Sequence, residues 1–115
     1  MVLDAEQAVR DGTSILILSD RAIDKERLPI HSLLSAGAVH HHLIAKGLRV
    51  DANMVVETGS ARDSHQIACL IGFGATAVYP YLAYSVLEDL IHSGEVLGEP
   101  SACYKNYRKG INKGL

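Results

Sequence analysis

Ile15-Leu16-Ile17-Leu18, set between Gly12-Thr13 and Ser19-Asp20-Arg21, decides how the rest of the chain is read. An apolar run without polar alternation fits a strand covered on both faces, the habit of parallel sheets. Two comparable runs follow. Ala52-Asn53-Met54-Val55-Val56-Glu57 reads as a second strand, and Ala75-Thr76-Ala77-Val78-Tyr79 as a third, stopped by Pro80. No Asn-Gly or Asp-Gly turn joins any two of them, and the connections carry helical patterns. Parallel strands with right-handed crossovers are therefore predicted.

The first crossover helix is expected over residues 30–46, with Pro29 suited to its first turn and Gly47 to its C-terminal cap. Ile30, Leu34, Gly37, Ala38, Ile44, Ala45 and Leu48 share one side at the helical period, which places His41 in the buried stripe. Val39 and Leu43 then fall on the opposite side, as a second packing surface or as the limit of the periodicity. A second helix is expected over 61–71, capped by Ser60, with Asp63 in its first turn and Ser64, Ile67, Ala68 and Ile71 on one face. A third covers 81–92, with Leu82, Val86, Leu87, Leu90 and Ile91 as its stripe. The expected fold is α/β: three consecutive parallel β/α units resembling part of a (β/α)8 barrel, with flanking N- and C-terminal helices. Residues 1–94 form the β/α segment. Residues 95–115 are a linker and a last helix whose pattern is not terminated at Leu115, so the chain is expected to be an internal piece of a longer one.

The 115 residues, 48% hydrophobic and 21% charged, suit one folded domain at most. A net charge of −2 gives no general attraction to nucleic acid or acidic lipid. Neither a signal peptide nor a membrane-length apolar run is visible. Cys69 and Cys103 make no disulfide framework.

In parallel β/α structures functional side chains gather beyond the C-terminal strand ends. That rule brings together Asp20, Arg21, Glu57, Arg62 and Asp63 as a polar rim, with Arg62 expected to bridge Asp20 and Glu57. The preferred reading is that the rim ties loops to the sheet. Gly59 and the amides of residues 60–62 offer a weak anion site, opposed by Glu57 and Asp63. Three consecutive histidines, His40 to His42, cannot converge on one ion from a helix. His65 and Cys69 share a helix face, but two ligands fall short of a zinc site. Tyr104 and Tyr107 with four nearby bases could stack on nucleic acid, although an amphipathic helix docked to a missing partner explains them better. No catalytic, cofactor-binding or metal-binding residue is assigned.

The same segments resemble a known family. Gly12–Arg21, Ala38–Ile44, Asp51–Thr58, Ser60–Asp63, Leu70–Tyr84 and Asn106–Gly114 together resemble the large chains of glutamate synthases over nearly the whole sequence. The wording of residues 75–84 looks closest to bacterial members that use NADPH, although many relatives carry Asn where this chain has Tyr79. The resemblance implies the C-terminal part of the family's central domain, which joins a glutamine amidotransferase domain to an FMN-binding barrel with an iron–sulfur cluster. It further implies a cytoplasmic parent that makes L-glutamate from L-glutamine and 2-oxoglutarate. NADPH would act through a small partner subunit, and the remaining domains of the large chain would be this segment's partners. Neither nucleic acid nor membrane is expected, and open strand edges should favour self-association. The competing readings are a stand-alone phosphate- or flavin-binding β/α module and an interaction protein.

Overall fold

The computed structural model describes residues 1–115. Helix α1 (Val2–Arg10) leads into strand β1 (Ile15–Ser19), and helix α2 (Ser32–Ala45) follows a long loop. A short 3-10 turn (Arg49–Asp51) precedes β2 (Asn53–Glu57), α3 (Ser64–Gly72), β3 (Ala77–Tyr79), α4 (Tyr81–His92) and α5 (Pro100–Gly114). The strands form one open, parallel three-stranded sheet in chain order, β1-β2-β3. The expected α/β architecture with three parallel strands is thus the observed one.

The register sets which side chains share a face. Leu16 lies opposite Met54, and Leu18 opposite Val56, which in turn faces Val78. Leu16, Met54 and Val56 are buried in one core with Ala5 and Val9 of α1, Ala36, Val39 and Leu43 of α2, and Ile67 and Leu70 of α3. Full burial of each large member stabilises the fold by roughly 1.5–3 kcal/mol. The alternate positions are uncovered: Ile15 is 57% and Ile17 63% exposed. The expectation that β1 is covered on both faces is therefore corrected. Helices cover one face of the sheet in this chain, and the other presents Ile15, Ile17 and Tyr79 to solvent.

Helix α2 also departs from its expected orientation. Its buried face is Ser32, Ser35, Ala36, Gly37, Val39 and Leu43, whereas Leu34 and Ile44 are exposed. Positions 32, 36, 39 and 43 recur at helical spacing, but several are small or hydroxylated, so a count of bulky apolar residues selects the wrong side. The small residues let the helix approach its neighbours closely. A β-carbon added at Gly37 would lie 3.1 Å from the Phe73 ring.

Helix α5 folds back onto α3 and α4. The Tyr107 hydroxyl donates to the Arg62 carbonyl (2.7 Å), and Ser64 Oγ donates to the Ile111 carbonyl (3.1 Å). Tyr84 of α4 meets the rings of Tyr104 and Tyr107 edge-on, at 5.2 and 5.5 Å between centroids. Edge-to-face pairs of this kind suit the opposed charge of ring face and ring rim. No helix is long and apolar enough to cross a membrane.

Candidate functional site

The C-terminal strand ends converge as the topology requires, and Asp20 is their hub. The β1–β2 ladder continues one residue past the strand, with the Asp20 amide donating to the Glu57 carbonyl (3.2 Å). This fixes the Asp20 side chain above the turn that follows β2. Its carboxylate accepts from the Gly59 amide (3.0 and 3.2 Å), from Thr58 Oγ1 (3.1 Å) and from the Tyr81 hydroxyl (2.5 Å). All three donors are neutral. Hydrogen bonds to a carboxylate are stronger than neutral pairs, so the three together hold the β1, β2 and β3 ends in one arrangement.

Thr58 carries the rim inward. It is completely buried, and its Oγ1 accepts from Ser32 Oγ (2.7 Å) and from the Ser60 amide (3.1 Å) while donating to Asp20. Ser32 begins α2, so the same chain of bonds fixes that helix to the β2 turn. No buried side-chain polar atom of the protein lacks a hydrogen-bond partner.

The carboxylate and two neighbouring side chains also take up three amides of the Gly59 turn. The Gly59 amide goes to Asp20, the Ser60 amide to Thr58 and the Arg62 amide to Gln66 Oε1 (2.9 Å). The protein supplies its own acceptors where an anionic ligand would be held. Gly59 is needed for the approach, since an added β-carbon would stand 3.1 Å from the Tyr81 hydroxyl. The bond to Asp20, then burial, pushes the Tyr81 hydroxyl up to about 12, because ionisation would set two anions together.

The arginine of the rim is Arg21. Its Nε lies 3.0 Å from Glu57 Oε1, which also accepts from Ser19 Oγ (3.0 Å). Its guanidinium stands 4.5 Å from the centre of the Tyr81 ring and 5.7 Å from that of Tyr79. The expected bridge from Arg62 to Asp20 and Glu57 does not form: Arg62 is exposed and engages its neighbours through its backbone. It lies past the turn, where the chain already leads away toward α3. Asp63 is also outside the cluster. It caps α3, accepting from the Gln66 amide (2.9 Å), a role expected of Ser60.

Among the histidines, His41 is exposed, against the expectation that it is buried. The error follows from the reversed face of α2. His40 and His42 are partly buried, and the Nδ1 of His40 accepts from Arg49 Nε (2.9 Å). The other arms of Arg49 donate to the carbonyls of Ala52 (2.6 Å) and Gly74 (2.8 Å), clamping α2 to the entries of β2 and β3. Burial, then the Arg49 charge, lowers the His40 pKa. His42 Nε2 is 2.6 Å from Glu6 Oε2, which joins α1 to α2.

Two clefts border these groups. One of about 750 Å³ runs between α1, β1 and the loop of residues 20–31, with a largely apolar lining. A smaller one of about 160 Å³ includes His31, Ser60, His65 and Cys69. Cys69 Sγ lies 3.7 Å from His65 Nε2, and no group of three or more His, Cys, Asp or Glu side chains converges as a metal site.

The family model described as "Glutamate synthase central domain" matches residues 1–115. The chain is 42% identical to the "Glutamate synthase [NADPH] large chain" of Bacillus subtilis, over 100% of this chain and 8% of that one. It is 42% identical to the "Ferredoxin-dependent glutamate synthase" of Pyropia yezoensis, over 97% of this chain and 8% of that one. With the "Glutamate synthase [NADH]" of Schizosaccharomyces pombe the identity is 39%, over 97% of this chain and 5% of that one. The chain therefore spans less than a tenth of the length of these relatives.

Proposed function

We propose, from the premise that this chain belongs to the glutamate synthase central-domain family, that it is a structural, interdomain segment of a glutamate synthase large chain. Its parent makes L-glutamate from L-glutamine and 2-oxoglutarate with reducing equivalents, in the cytoplasm. The observation that carries this reading is the Asp20 carboxylate seated on the Gly59 turn. Donors that would serve a ligand are instead spent on holding three strand ends and α2 together. A rim of this kind positions neighbours and moves no proton.

Within this reading, residues 1–94 are the β/α segment, and residues 95–115 are the linker and helix leading toward the FMN-binding barrel. The flavin and the iron–sulfur cluster of such a parent belong to other parts of it. Two cysteines, Cys69 on α3 and Cys103 on α5, are too few to hold a cluster by thiolates. The wording of residues 75–84 supports a bacterial, NADPH-type parent with a small subunit as electron-donating partner. The NADPH- and ferredoxin-named relatives share equal identity with the chain, so overall identity does not select the donor.

The test is a full-length large chain carrying Tyr81→Phe, assayed for glutamine hydrolysis, for ammonia-dependent glutamate formation and for the coupled reaction. The coupled reaction should fall several-fold while each half-reaction is retained. Equal loss of all three with unchanged stability would assign the rim a direct catalytic role and overturn the proposal.

A further inference from the structure

Helix α5 separates its two faces by chemistry. Tyr104, Tyr107 and Ile111 turn inward against α3 and α4. Lys105, Arg108, Lys109 and Lys113 lie on the outer side within an arc of about 140°, at 100° per residue. All four are exposed, and none takes part in an ion pair. The charge of the chain is segregated to match. All 13 acids and seven of the 11 bases lie in residues 1–99, a balance of −6; the remaining four bases lie in α5 with no acid, a balance of +4.

We propose that this outer face of α5 docks on an acidic protein surface belonging to the remainder of the same large chain. The inference rests on the interdomain reading above and adds the surface and the chemistry of what it meets. Charge complementarity selects the partner, since a face of four unpaired cations fits clustered carboxylates. The length of chain outside this segment supplies the surface, because relatives matched over their whole alignment to this chain are more than ten times longer. Nucleic acid is the poorer fit. The tyrosines that would stack on bases are packed inward, and the body of the domain carries a negative balance that repels phosphates.

Carbodiimide cross-linking of the full-length large chain tests this directly, because the reagent joins an amine only to a carboxylate in contact with it. Digestion and mass spectrometry should find Lys105, Lys109 or Lys113 joined to Asp or Glu outside residues 1–115. The yield should fall several-fold in about 1 M salt, where the screening length is about 3 Å. Links confined to acids within residues 1–115, or no links, would overturn the proposal. So would protection of these lysines from acetylation by an added DNA duplex or by phosphatidylserine vesicles, which would assign the face to a polyanion. Absent cross-links with the Tyr81→Phe coupling defect intact would reject this surface alone. Cross-links present without that defect would reject the role of the rim alone.

Discussion

The Tyr81 hydroxyl reaches Asp20 Oδ1 at 2.5 Å across 61 residues of chain, closing the end of β3 onto the end of β1. Neither strand pairs with the other, because β2 lies between them. The bond is a strap over the central strand. Tyr81→Phe should lower unfolding stability by about 1–2 kcal/mol, the usual worth of a partly exposed bond to a charged acceptor. Urea titration of the 115-residue chain would measure it, and an unchanged midpoint would remove the strap from the account.

The same bond sets an alkaline limit. The Tyr81 pKa is raised from 10.0 to about 12, and burial raises those of Tyr104 and Tyr107 as well. A raised pKa means that the unfolded chain gives up its proton first. The stabilisation is complete below pH 10 and is lost as pH rises from there through about 12. Tyr81→Phe should flatten this slope when unfolding is followed from pH 9 to 12. An identical slope in the variant would place the alkaline loss elsewhere.

Arg21 and Arg62 should differ in consequence. Arg21→Ala removes the Glu57 pair and the stacking on Tyr81, both partly exposed, for a loss of about 1 kcal/mol. Arg62→Ala should stay within about 0.5 kcal/mol, since its side chain pairs with nothing and its backbone bonds survive. The reverse order in thermal unfolding would contradict the geometry.

The His40 station predicts an acid response and a steric one. His40 accepts through Nδ1, so protonation breaks its bond to Arg49. Its lowered pKa means that stability is full above the ordinary value of 6.5 and is lost as pH falls below it. Glu6, also lowered, contributes a separate loss below 4.5. Gly74→Ala should destabilise by about 2 kcal/mol or more, combining overpacking with a backbone that side chains avoid. Gly74 has φ +119°, and its β-carbon would stand 2.5 Å from the His40 ring. A Gly74→Ala chain of native stability would show that the ring can move aside.

The uncovered sheet face should drive association. Ile15 and Ile17 present adjacent apolar side chains beside partly buried Val55. Sedimentation of the 115-residue chain should show concentration-dependent self-association, reduced by Ile15→Thr with Ile17→Thr. A monomer at all concentrations would mean that this face tolerates water.

The strands are legible because each holds a short apolar core, Ile15–Leu18, Met54–Val56 or Ala77–Tyr79, followed within three residues by Ser, Gly or Pro, a signal that depends on few neighbours. The rotation of α2 is not, because Ser32, Ser35 and Ala36 are buried for their smallness, which a scale of hydrophobicity does not register. His41 was misplaced by the same error, since one residue along a helix turns the side chain by about 100°. At the rim, topology alone located Asp20 and Glu57. It could not choose Arg21 over Arg62, because that depends on side-chain reach and on the direction in which each turn leaves the sheet. Tyr81 opens the predicted third helix at the third strand end, but nothing beside it in the sequence marks its hydroxyl as a partner of Asp20. Only its position after Pro80, at the third strand end, hinted at a hydroxyl facing the rim.

The sheet order follows the order of synthesis, β1-β2-β3, and that has a kinetic meaning. Each strand that leaves the ribosome meets its partner already made, so the domain can grow one β/α unit at a time. Between Gly59 and Asp20 the loop to close is 39 residues, and between Tyr81 and Asp20 it is 61. Closure entropy rises only slowly with such lengths, but these contacts still require the strands to be paired first. The Tyr81–Asp20 bond is therefore a late event, a seal set once the third strand has arrived. Tyr81→Phe should accelerate unfolding and leave the folding rate nearly unchanged.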